Sequence, residues 1–326
     1  MTTYKGIRGL TIRTVAGDPD PLITGDIWYS TATRKIRGAK IGDGAWASGG
    51  NQNSAVADRG TVGIQTAALA MGGVAYTANA ETYNGSSWTE VANLNTPRAY
   101  LGGSGTFGAG LAFAGYNAAD PYVRVESETW DGSSWTEVGD LNTARNSVFS
   151  LGATNTAAVC AGGTTLTANT AVSETWNGTA WTEGNNLNTV RQLGGSAGTT
   201  TAGLTFGGRD PSPWSVNAES YDGTSWTEGA NLNTGRSEGG GAGIQTSALY
   251  FGGRSAPTTR PAVTESWDDS SWTEVADLST ARTTWMSTGA SNTSALAIGG
   301  WTAPGSKSQA TEEWDVSAAA SNFTSS

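Results

Sequence analysis

The sequence contains no histidine, a single cysteine and little charge of either sign. Among 326 residues, His is absent, Cys160 is the only cysteine, and charged residues make up 14%. Histidine is the commonest metal ligand and general base, so its absence removes the usual side chain for both kinds of chemistry. A single cysteine excludes an internal disulfide, and its place in the apolar segment AAVCAGG predicts a buried, unreactive thiol.

Long apolar runs and basic patches are missing as well. No segment approaches the ~20 apolar residues of a membrane-spanning helix, and the N-terminal segment lacks the apolar core of a signal peptide. The formal net charge of −10 disfavours nucleic acid as a partner, because phosphate binding needs a basic surface. These absences predict a soluble protein that is not exported by a signal peptide and binds neither membranes nor nucleic acid.

Tryptophan and glycine, by contrast, are abundant and regularly spaced. The chain has 14 Trp and 46 Gly, and segments similar to ETWDGSSWTEVGDLNTAR recur along it. The WTE tryptophans fall at positions 88, 135, 181, 226 and 272, at intervals of 47, 46, 45 and 46 residues. Repeats of about 40 to 50 residues that contain four short strands indicate the blades of a β-propeller.

Each repeat divides into four predicted strands. The first follows the Arg of an NTxR motif, the second is an apolar segment ending in two glycines, the third carries ETW or a variant, and the fourth carries WTE. Asn-Gly or Asp-Gly pairs separate the third and fourth strands in most repeats, as expected of tight hairpins with positive φ. Six double-glycine strands, one with Ala114 in place of the first glycine, predict six blades.

The two ends of the chain are predicted to share the last blade. After Trp314 no tryptophan follows at the position of the fourth strand, whereas Trp46 precedes the first blade without a partner. A strand around Trp46 therefore completes the sixth blade, which closes the ring and removes an exposed sheet edge.

The double glycine, the third-strand aromatic residue and the fourth-strand Trp resemble the kelch type of β-propeller over residues of about 43 to 316. The gap of five residues from Trp130 to Trp135 is shorter than in the kelch pattern, which implies a tighter hairpin. The predicted fold class is therefore all-β, a six-bladed, kelch-like propeller of four-stranded antiparallel blades closed by an N-terminal strand. The nearly identical LNTAR and GTSWTE segments also resemble kelch-like virion proteins of marine bacteriophages. The leading TGDIWYSTATRKIRGAKIGDGAW is similar to short hairpins found in phage structural proteins.

Three regions are expected along the chain. Residues 1–26 form an N-terminal arm or connector, residues 27–318 form the propeller, and residues 319–326 form a C-terminal tail. Within the propeller, residues 27–50 are expected to supply a hairpin and the closing strand. The segment GLTIRTV of the arm alternates like a strand that has no partner within the blades.

The charges that recur in every repeat are predicted to hold neighbouring blades in register. A Glu precedes each third-strand aromatic residue by two positions, and an Arg follows each WTE Glu by eight. A sixfold binding ring is the alternative, but an asymmetric ligand has no use for one residue in every blade. The repeated tryptophans are likewise predicted to pack between blades. The charged residues are Glu81, Glu128, Glu174, Glu219, Glu265 and Glu312, with Arg98, Arg145, Arg191, Arg236 and Arg282.

Function is expected in the connections that differ between blades. The linkers from the second to the third strand vary in length and content, and strand alternation places all of them on one face. Exposed aromatic side chains beside Arg and Asp suit sugar rings or a protein partner, with ordinary solvated loops as the alternative. The candidate residues are Tyr76, Tyr116, Tyr122, Arg124, Arg209, Asp210, Trp214, Arg254, Arg260, Trp301 and Lys307. Trp214, which follows Pro211 and Pro213, is the leading candidate.

The sequence predicts a protein that is not an enzyme and binds no metal or other cofactor. Six-bladed kelch propellers include copper oxidases, but a copper site depends on imidazole, which this chain lacks. Sialidases are also six-bladed propellers, and a similar site would need an arginine cluster, a tyrosine and carboxylates on one face. Most arginines here belong to the repeats, and no pair of carboxylates is singled out.

The resemblance implies a structural protein of the bacteriophage virion, which the N-terminal arm attaches to other virion proteins. Its propeller face would be presented to a host-surface glycan or receptor, as in a tail fibre. The alternatives are a capsid decoration or tail component that contacts only virion proteins, and a glycan-acting enzyme. The expected location is the virion, assembled in the host cytoplasm.

Overall fold

All regular secondary structure in the described residues is β-strand. The structure, a computed structural model, describes residues 12–118, 122–165, 167–210, 214–285 and 287–322. Within these ranges, no helix is long and apolar enough to cross a membrane. Residue contacts divide the chain into unit 1, Met1–Ala45 with Val316–Ser326, and unit 2, Trp46–Asp315.

Unit 1 is a four-stranded sheet built from both ends of the chain. Its strands are β1 (Arg13–Val15), β2 (Ile27–Ser30), β3 (Lys35–Ile41) and β32 (Ala318–Asn322). The first pair is parallel, β2 and β3 form an antiparallel hairpin, and β3 pairs antiparallel with β32. Trp28 is buried, and Arg37 forms an ion pair with Asp18 at 2.5 Å.

This sheet divides the chain differently from the predicted arm, propeller and tail. Residues 13–15 of the arm pair with β2, and residues 318–322, which span the expected start of the tail, pair with β3. The predicted N-terminal hairpin region is split, because β2 and β3 lie in unit 1 whereas residues 46–50 lie in unit 2. The sequence pattern gave no signal of the pairing between β3 and β32, because neither strand belongs to the repeat. Residues 1–11 and 323–326 of the arm and tail lie outside the described residues.

Unit 2 contains six four-stranded antiparallel sheets in the described residues. Sheet 1 consists of β5 (Gly60–Ile64), β6 (Ala67–Met71), β7 (Ala80–Tyr83) and β8 (Trp88–Val91). Sheet 2 consists of β9 (Gly102–Thr106), β10 (Ala109–Phe113), β13 (Ser127–Trp130) and β14 (Trp135–Val138). Sheet 3 consists of β15 (Phe149–Thr154), β16 (Ala157–Ala161), β17 (Ser173–Trp176) and β18 (Trp181–Glu183).

The remaining sheets follow the same order. Sheet 4 consists of β19 (Gly195–Gly198), β20 (Gly203–Phe206), β21 (Ala218–Tyr221) and β22 (Trp226–Glu228). Sheet 5 consists of β23 (Gly240–Ile244), β24 (Ser247–Phe251), β25 (Thr264–Trp267) and β26 (Trp272–Val275). Sheet 6 consists of β27 (Ser287–Ser291), β28 (Ser294–Ile298), β31 (Thr311–Asp315) and β4 (Ala45–Ser48). Two short ribbons, β11 (Tyr116–Asn117) with β12 (Tyr122–Val123) and β29 (Trp301–Ala303) with β30 (Ser306–Lys307), lie in connecting loops.

Sheet 6 has the composition that the sequence predicted. Its outer strand is β4, so the strand around Trp46 occupies the position that the chain after Trp314 does not fill. The innermost strands contact one another in the order β5, β9, β15, β19, β23 and β27, and β27 contacts β5. At this last junction the Thr61 hydroxyl donates to the Ser287 carbonyl at 2.8 Å. The predicted all-β propeller fold is confirmed.

The hydrophobic core lies between neighbouring sheets. Outer-strand tryptophans reach the preceding sheet, where Trp181 Nε1 donates to Ser127 Oγ and Trp46 Nε1 donates to Thr264 Oγ1, each at 3.0 Å. Within sheet 3, the rings of Trp176 and Trp181 lie 5.5 Å apart between centroids. The repeated tryptophans therefore pack between blades, as predicted. Burial also raises the pKa of the Cys160 thiol to about 12, which keeps it protonated and unreactive at neutral pH.

The repeated Arg and Glu residues form ion pairs inside the protein. Arg191 pairs with Glu219 at 2.8 Å and donates to the carbonyl of Gly207, and both charged side chains are fully buried. The Glu219 carboxylate also accepts the backbone amides of Asn188 and Thr189, which lie in the connection between sheets 3 and 4. One such pair occurs in each of the six sheets: Arg59–Glu81, Arg98–Glu128, Arg145–Glu174, Arg191–Glu219, Arg236–Glu265 and Arg282–Glu312. The prediction that these charges are architectural is confirmed.

Sheet 1 uses an arginine that the sequence pattern did not identify. Val56 occupies the position of the repeated Arg, and Arg59, three positions later, supplies the guanidinium instead. Arg59 Nη1 donates to Glu81 Oε1 and to Gln52 Oε1, both at 2.9 Å. The first repeat, whose sequence departs from the others, thus forms the same ion pair with an arginine at a different position.

Candidate functional site

Six equivalent residues meet where the sheets converge. Each lies two positions after the repeated Arg, or after Val56 in the first repeat: Asp58, Tyr100, Ser147, Leu193, Glu238 and Thr284. We call them the axial ring. From Tyr100 onward, the backbone amide of each member donates to the carbonyl of the preceding member, at 2.7 to 3.1 Å. One such hydrogen bond therefore joins the ring residues at each of the five junctions from Asp58 to Thr284.

The backbone of the axial ring is left-handed. From Asp58 to Glu238, the first five members have φ between 57° and 59°. This conformation costs a non-glycine residue about 1 kcal/mol or more, and the hydrogen bonds around the ring hold it in place. The backbone conformation is thus the same at five of the six positions, whereas the side chain is different in every sheet. The side chain at such a position can differ, and so change which ligand is bound, without disturbing the propeller.

The double glycines place a second set of variable residues beside the ring. The first residue after each pair forms a bridge with the neighbour of a ring residue, as Arg254 does with Ser237. Gly253 permits this approach, because its φ is 105° and a Cβ there would lie 2.6 Å from the Ser237 carbonyl oxygen. Tyr116, Arg209 and Trp301 hold the same place in their own sheets.

Both sets of residues surround one pocket, which we call the axial pocket. Its volume is about 680 Å³, within the range of small-molecule sites. Five axial-ring members, Asp58 to Glu238, contribute to its lining. The other lining residues are Tyr116, Asn146, Arg254, Pro257, Arg260, Trp301, Pro304 and Gly305. All six sheets or the loops that join their strands therefore contribute to a single cavity.

Two carboxyl groups with perturbed acidity face this pocket. Burial raises the pKa of Asp58, although the Trp301 indole Nε1 donates to its Oδ2 at 2.9 Å and the Tyr100 side chain also hydrogen-bonds to it. Burial and the neighbouring Asp58 charge raise the pKa of Glu238, against the attraction of Arg254, whose Nη2 lies 3.3 Å from Glu238 Oε2. Burial and the Asp58 carboxylate raise the pKa of Tyr100 in turn.

These groups suit hydrogen bonding and proton exchange rather than metal binding. No cluster of three or more acidic or thiol side chains that could hold a metal ion occurs in the part of the chain that the structure describes. A carboxyl group whose pKa is raised toward neutrality can hold a proton and donate it. The Asp58 and Glu238 pair, with Tyr100 beside it, has the composition of a polar binding or acid–base site.

The structure places the predicted residues in three settings. Tyr116, Arg254, Arg260 and Trp301 line the axial pocket. Tyr76, Arg209 and Lys307 are connected to it: Tyr76 packs on Tyr116 with ring centroids 5.8 Å apart, the Arg209 charge lowers the pKa of Glu238, and Lys307 Nζ lies 5.9 Å from the Trp301 ring. Tyr122, Arg124, Asp210 and Trp214 are not among the lining residues. Trp214, the leading candidate, is half-buried, while Pro211 and Pro213 beside it lie outside the described residues.

The axial ring itself was missed from the sequence. Tyr100, Leu193 and Glu238 each lie within an otherwise repetitive segment, where a different residue is easily taken for a functionally neutral difference between repeats. The available signal was the contrast between a constant NTxR motif and a position two residues later that never repeats. Asp58 was visible in the same way from the gapless alignment of residues 51–73 on residues 231–253.

Comparison with known proteins supports the fold. No family model matches the sequence, and no curated protein matches it. The fold is similar to the solved structure of YjhT, with a TM-score of 0.69 and 13% sequence identity over 84% of this chain and 99% of that chain. At this level of identity the likeness shows the β-propeller fold alone.

This likeness overturns the prediction that the protein is not an enzyme. The β-propeller fold that the two proteins share does not exclude catalysis. The prediction relied on the absence of histidine and on the lack of any distinguished carboxylate pair. The structure supplies such a pair in Asp58 and Glu238, which the linear sequence separates by 180 residues.

Proposed function

We propose that the protein binds a glycan in the axial pocket. The observation that carries this proposal is the convergence of two carboxyl groups, two arginines and aromatic side chains in one cavity of about 680 Å³. Sugars present hydroxyl groups in several directions and an apolar face on each ring. A site for them therefore needs both polar side chains and flat apolar surfaces.

The pocket offers both kinds of contact. Asp58 and Glu238 can accept hydrogen bonds from sugar hydroxyls, and the guanidinium of Arg260 can donate to ring or hydroxyl oxygens. Trp301 and Tyr116 line the same cavity and provide surfaces on which a sugar ring can stack. Since Trp301 also donates to Asp58, its ring orientation is fixed before a ligand arrives.

The test is a glycan array probed with the intact protein and with two tryptophan variants. Trp301→Ala removes a pocket surface and should weaken binding at least about 10-fold. Trp214→Ala alters a residue outside the pocket lining and should bind as the wild type does. An intact protein that binds no glycan, or equal loss in both variants, would contradict the proposal.

A second candidate function is hydrolysis of a glycosidic bond in the same pocket. It is favoured by one observation, the paired Asp58 and Glu238 carboxyl groups whose pKa values burial raises. Glycoside hydrolysis commonly uses two carboxyl groups, of which one donates a proton to the leaving oxygen. Neither histidine nor metal is required for that chemistry.

Turnover of chromogenic aryl glycosides tests this second candidate. Asp58→Asn and Glu238→Gln should each abolish turnover while leaving glycan binding measurable, because both replacements keep size and hydrogen-bonding capacity. Turnover that survives in both variants would exclude these carboxyl groups as its source. Binding without any turnover would leave glycan recognition as the function.

We propose the bacteriophage virion as the setting of this activity, with unit 1 or the arm before it as the connector to other virion proteins. The support is the resemblance of the LNTAR and SWTE repeats to kelch-like virion proteins of bacteriophages, and of residues 24–46 to short hairpins of phage structural proteins. Deletion of residues 1–26 should leave the propeller folded and abolish incorporation into particles. A deleted protein that still assembles, or that fails to fold, would contradict the connector role. If the protein is instead a decoration or tail component that contacts only virion proteins, it should assemble into particles, but the purified protein with a fluorescent label should not bind host cells.

A further inference from the structure

We propose that the axial pocket selects glycans that carry an anionic group, a carboxylate or a sulfate, and that Arg260 is the residue that binds it. This inference rests on the proposed glycan binding and specifies the ligand of the same site. It follows from a difference between the charged side chains of the pocket. Asp58 and Glu238 have partners within the protein, whereas Arg260 has no hydrogen-bond or ion-pair partner among the described residues.

The two acidic side chains of the pocket are engaged within the protein. The Asp58 carboxylate accepts the Trp301 indole at 2.9 Å, and Glu238 pairs with Arg254 at 3.3 Å. Before any ligand enters, Glu238 thus has a cationic partner and Asp58 has a hydrogen-bond donor. They do not prevent an anion from binding elsewhere in the cavity.

Arg260 is left without such a partner. It lines the pocket and is half-buried, yet no hydrogen bond or ion pair engages its side chain among the described residues. The positive charge of Arg260 acts on groups within the pocket, since it lowers the pKa of Glu238. A half-buried guanidinium without an ion-pair partner binds carboxylate or sulfate oxygens well, because its fork of donors matches their geometry.

The charged groups also occupy only one side of the pocket. Asp58, Glu238, Arg254 and Arg260 come from sheets 1 and 5 and their loops. The opposite side, from sheets 2 to 4, contributes the uncharged Tyr116, Ser147 and Leu193 instead. A ligand that fits this division has an anionic group at one end and uncharged sugar at the other.

The test compares matched oligosaccharides that end in glucose, glucuronate or 6-sulfated glucose. The wild type should bind at least one acidic ligand about 10-fold more tightly than the neutral one, and Arg260→Gln should weaken acidic binding about 10- to 100-fold. The same variant should leave neutral binding unchanged. Arg124→Gln, which alters an arginine that pairs with Glu126 outside the pocket lining, is the matched control and should bind as the wild type does.

The outcomes separate this inference from the proposal on which it rests. Equal affinity for neutral and acidic ligands would overturn the anion preference and leave glycan binding intact. Preference for acidic ligands that persists in Arg260→Gln would overturn the assignment of that residue, provided that the variant melts at the wild-type temperature. Preference for glucuronate over sulfate, or the reverse, identifies which anion the pocket accepts. Absence of binding to any glycan would refute the proposed function itself.

Discussion

At the scale of single residues, each repeated ion pair buries an arginine together with a glutamate of opposite charge. Arg145 and Glu174 are fully buried, and Glu174 accepts the Asn142 amide at 2.7 Å in addition to the guanidinium at 2.9 Å. Each bond from the connecting loop to this carboxylate ties sheet 3 to the chain that precedes it. A buried ion pair of this kind tolerates no loss of one partner, because the other charge is then left unpaired in a region without water.

Removing one of these charges should therefore destabilise the protein strongly. Glu174→Gln leaves Arg145 buried without a counter-charge and should lower the free energy of unfolding by about 3 to 5 kcal/mol. Glu183→Gln is the matched control, because Glu183 pairs directly across the sheet from Glu174 but is exposed, and it should change stability by less than about 0.5 kcal/mol. Urea denaturation of the three proteins measures both effects. Equal stability of the two variants would contradict the structural role of the pair.

The axial ring marks the limit of prediction at the residue scale. Four predicted loop residues, which were chosen because they differ between repeats, line the pocket: Tyr116, Arg254, Arg260 and Trp301. Asp58 and Glu238 could not be chosen in that way, since their importance depends on their proximity in space. The raised pKa of each group has burial as its main cause, and burial is a property of the assembled ring.

At the scale of strands and sheets, the regular repeat was a strong signal. Intervals of 45 to 47 residues, double glycines and Asn-Gly turns identified the four strands of each sheet. The missing fourth-strand Trp after Trp314 identified β4 as the closing strand of sheet 6, and the structure has this pairing. The pairing of β3 with β32 was not predicted, because neither strand belongs to the repeat and they lie at opposite ends of the chain.

The closing strand should be essential to the stability of the propeller. The Trp46 ring packs against Phe251 of sheet 5 and Trp314 of sheet 6, with centroids 4.7 and 5.4 Å away. Trp46→Ala leaves a cavity at this junction and should cost about 3 to 5 kcal/mol. Trp46→Phe keeps most of the apolar contact but loses the hydrogen bond to Thr264, and should cost about 1 kcal/mol from that loss.

Thermal and urea unfolding of these two variants measure the contribution of β4. The larger loss in Trp46→Ala is the expected result, because apolar burial outweighs a single hydrogen bond here. A Trp46→Ala protein as stable as the wild type would show that β4 does not hold sheet 6 together.

At the scale of the whole molecule, the residues that hold the sheets together and the residues that line the axial pocket occupy different positions of the same repeat. Residues that recur, such as Trp, Glu and Arg, build the contacts between sheets. Residues that change, at the axial ring and after the double glycines, supply the side chains of the axial pocket. The pocket draws on residues 58 to 305, all of which belong to unit 2.

Unit 2 alone should therefore fold and bind. A chain of residues 45–315 keeps β4 whole and contains every residue that lines the pocket. We expect it to show one cooperative unfolding transition and the glycan affinity of the intact protein. Calorimetry and a binding titration test both points. A folded unit 2 that has lost its affinity would mean that unit 1 contributes to the site.

We propose that the protein recognises glycans through the axial pocket rather than through loop residues outside it, such as Trp214. The most direct measurement is a crystal structure of the protein with the tightest-binding glycan from the array. We expect a sugar stacked on Trp301, with polar contacts to Asp58 or Glu238 and an anionic group on Arg260. A glycan bound beside Trp214, or on the opposite face of the propeller, with the axial pocket filled only by water, would contradict it.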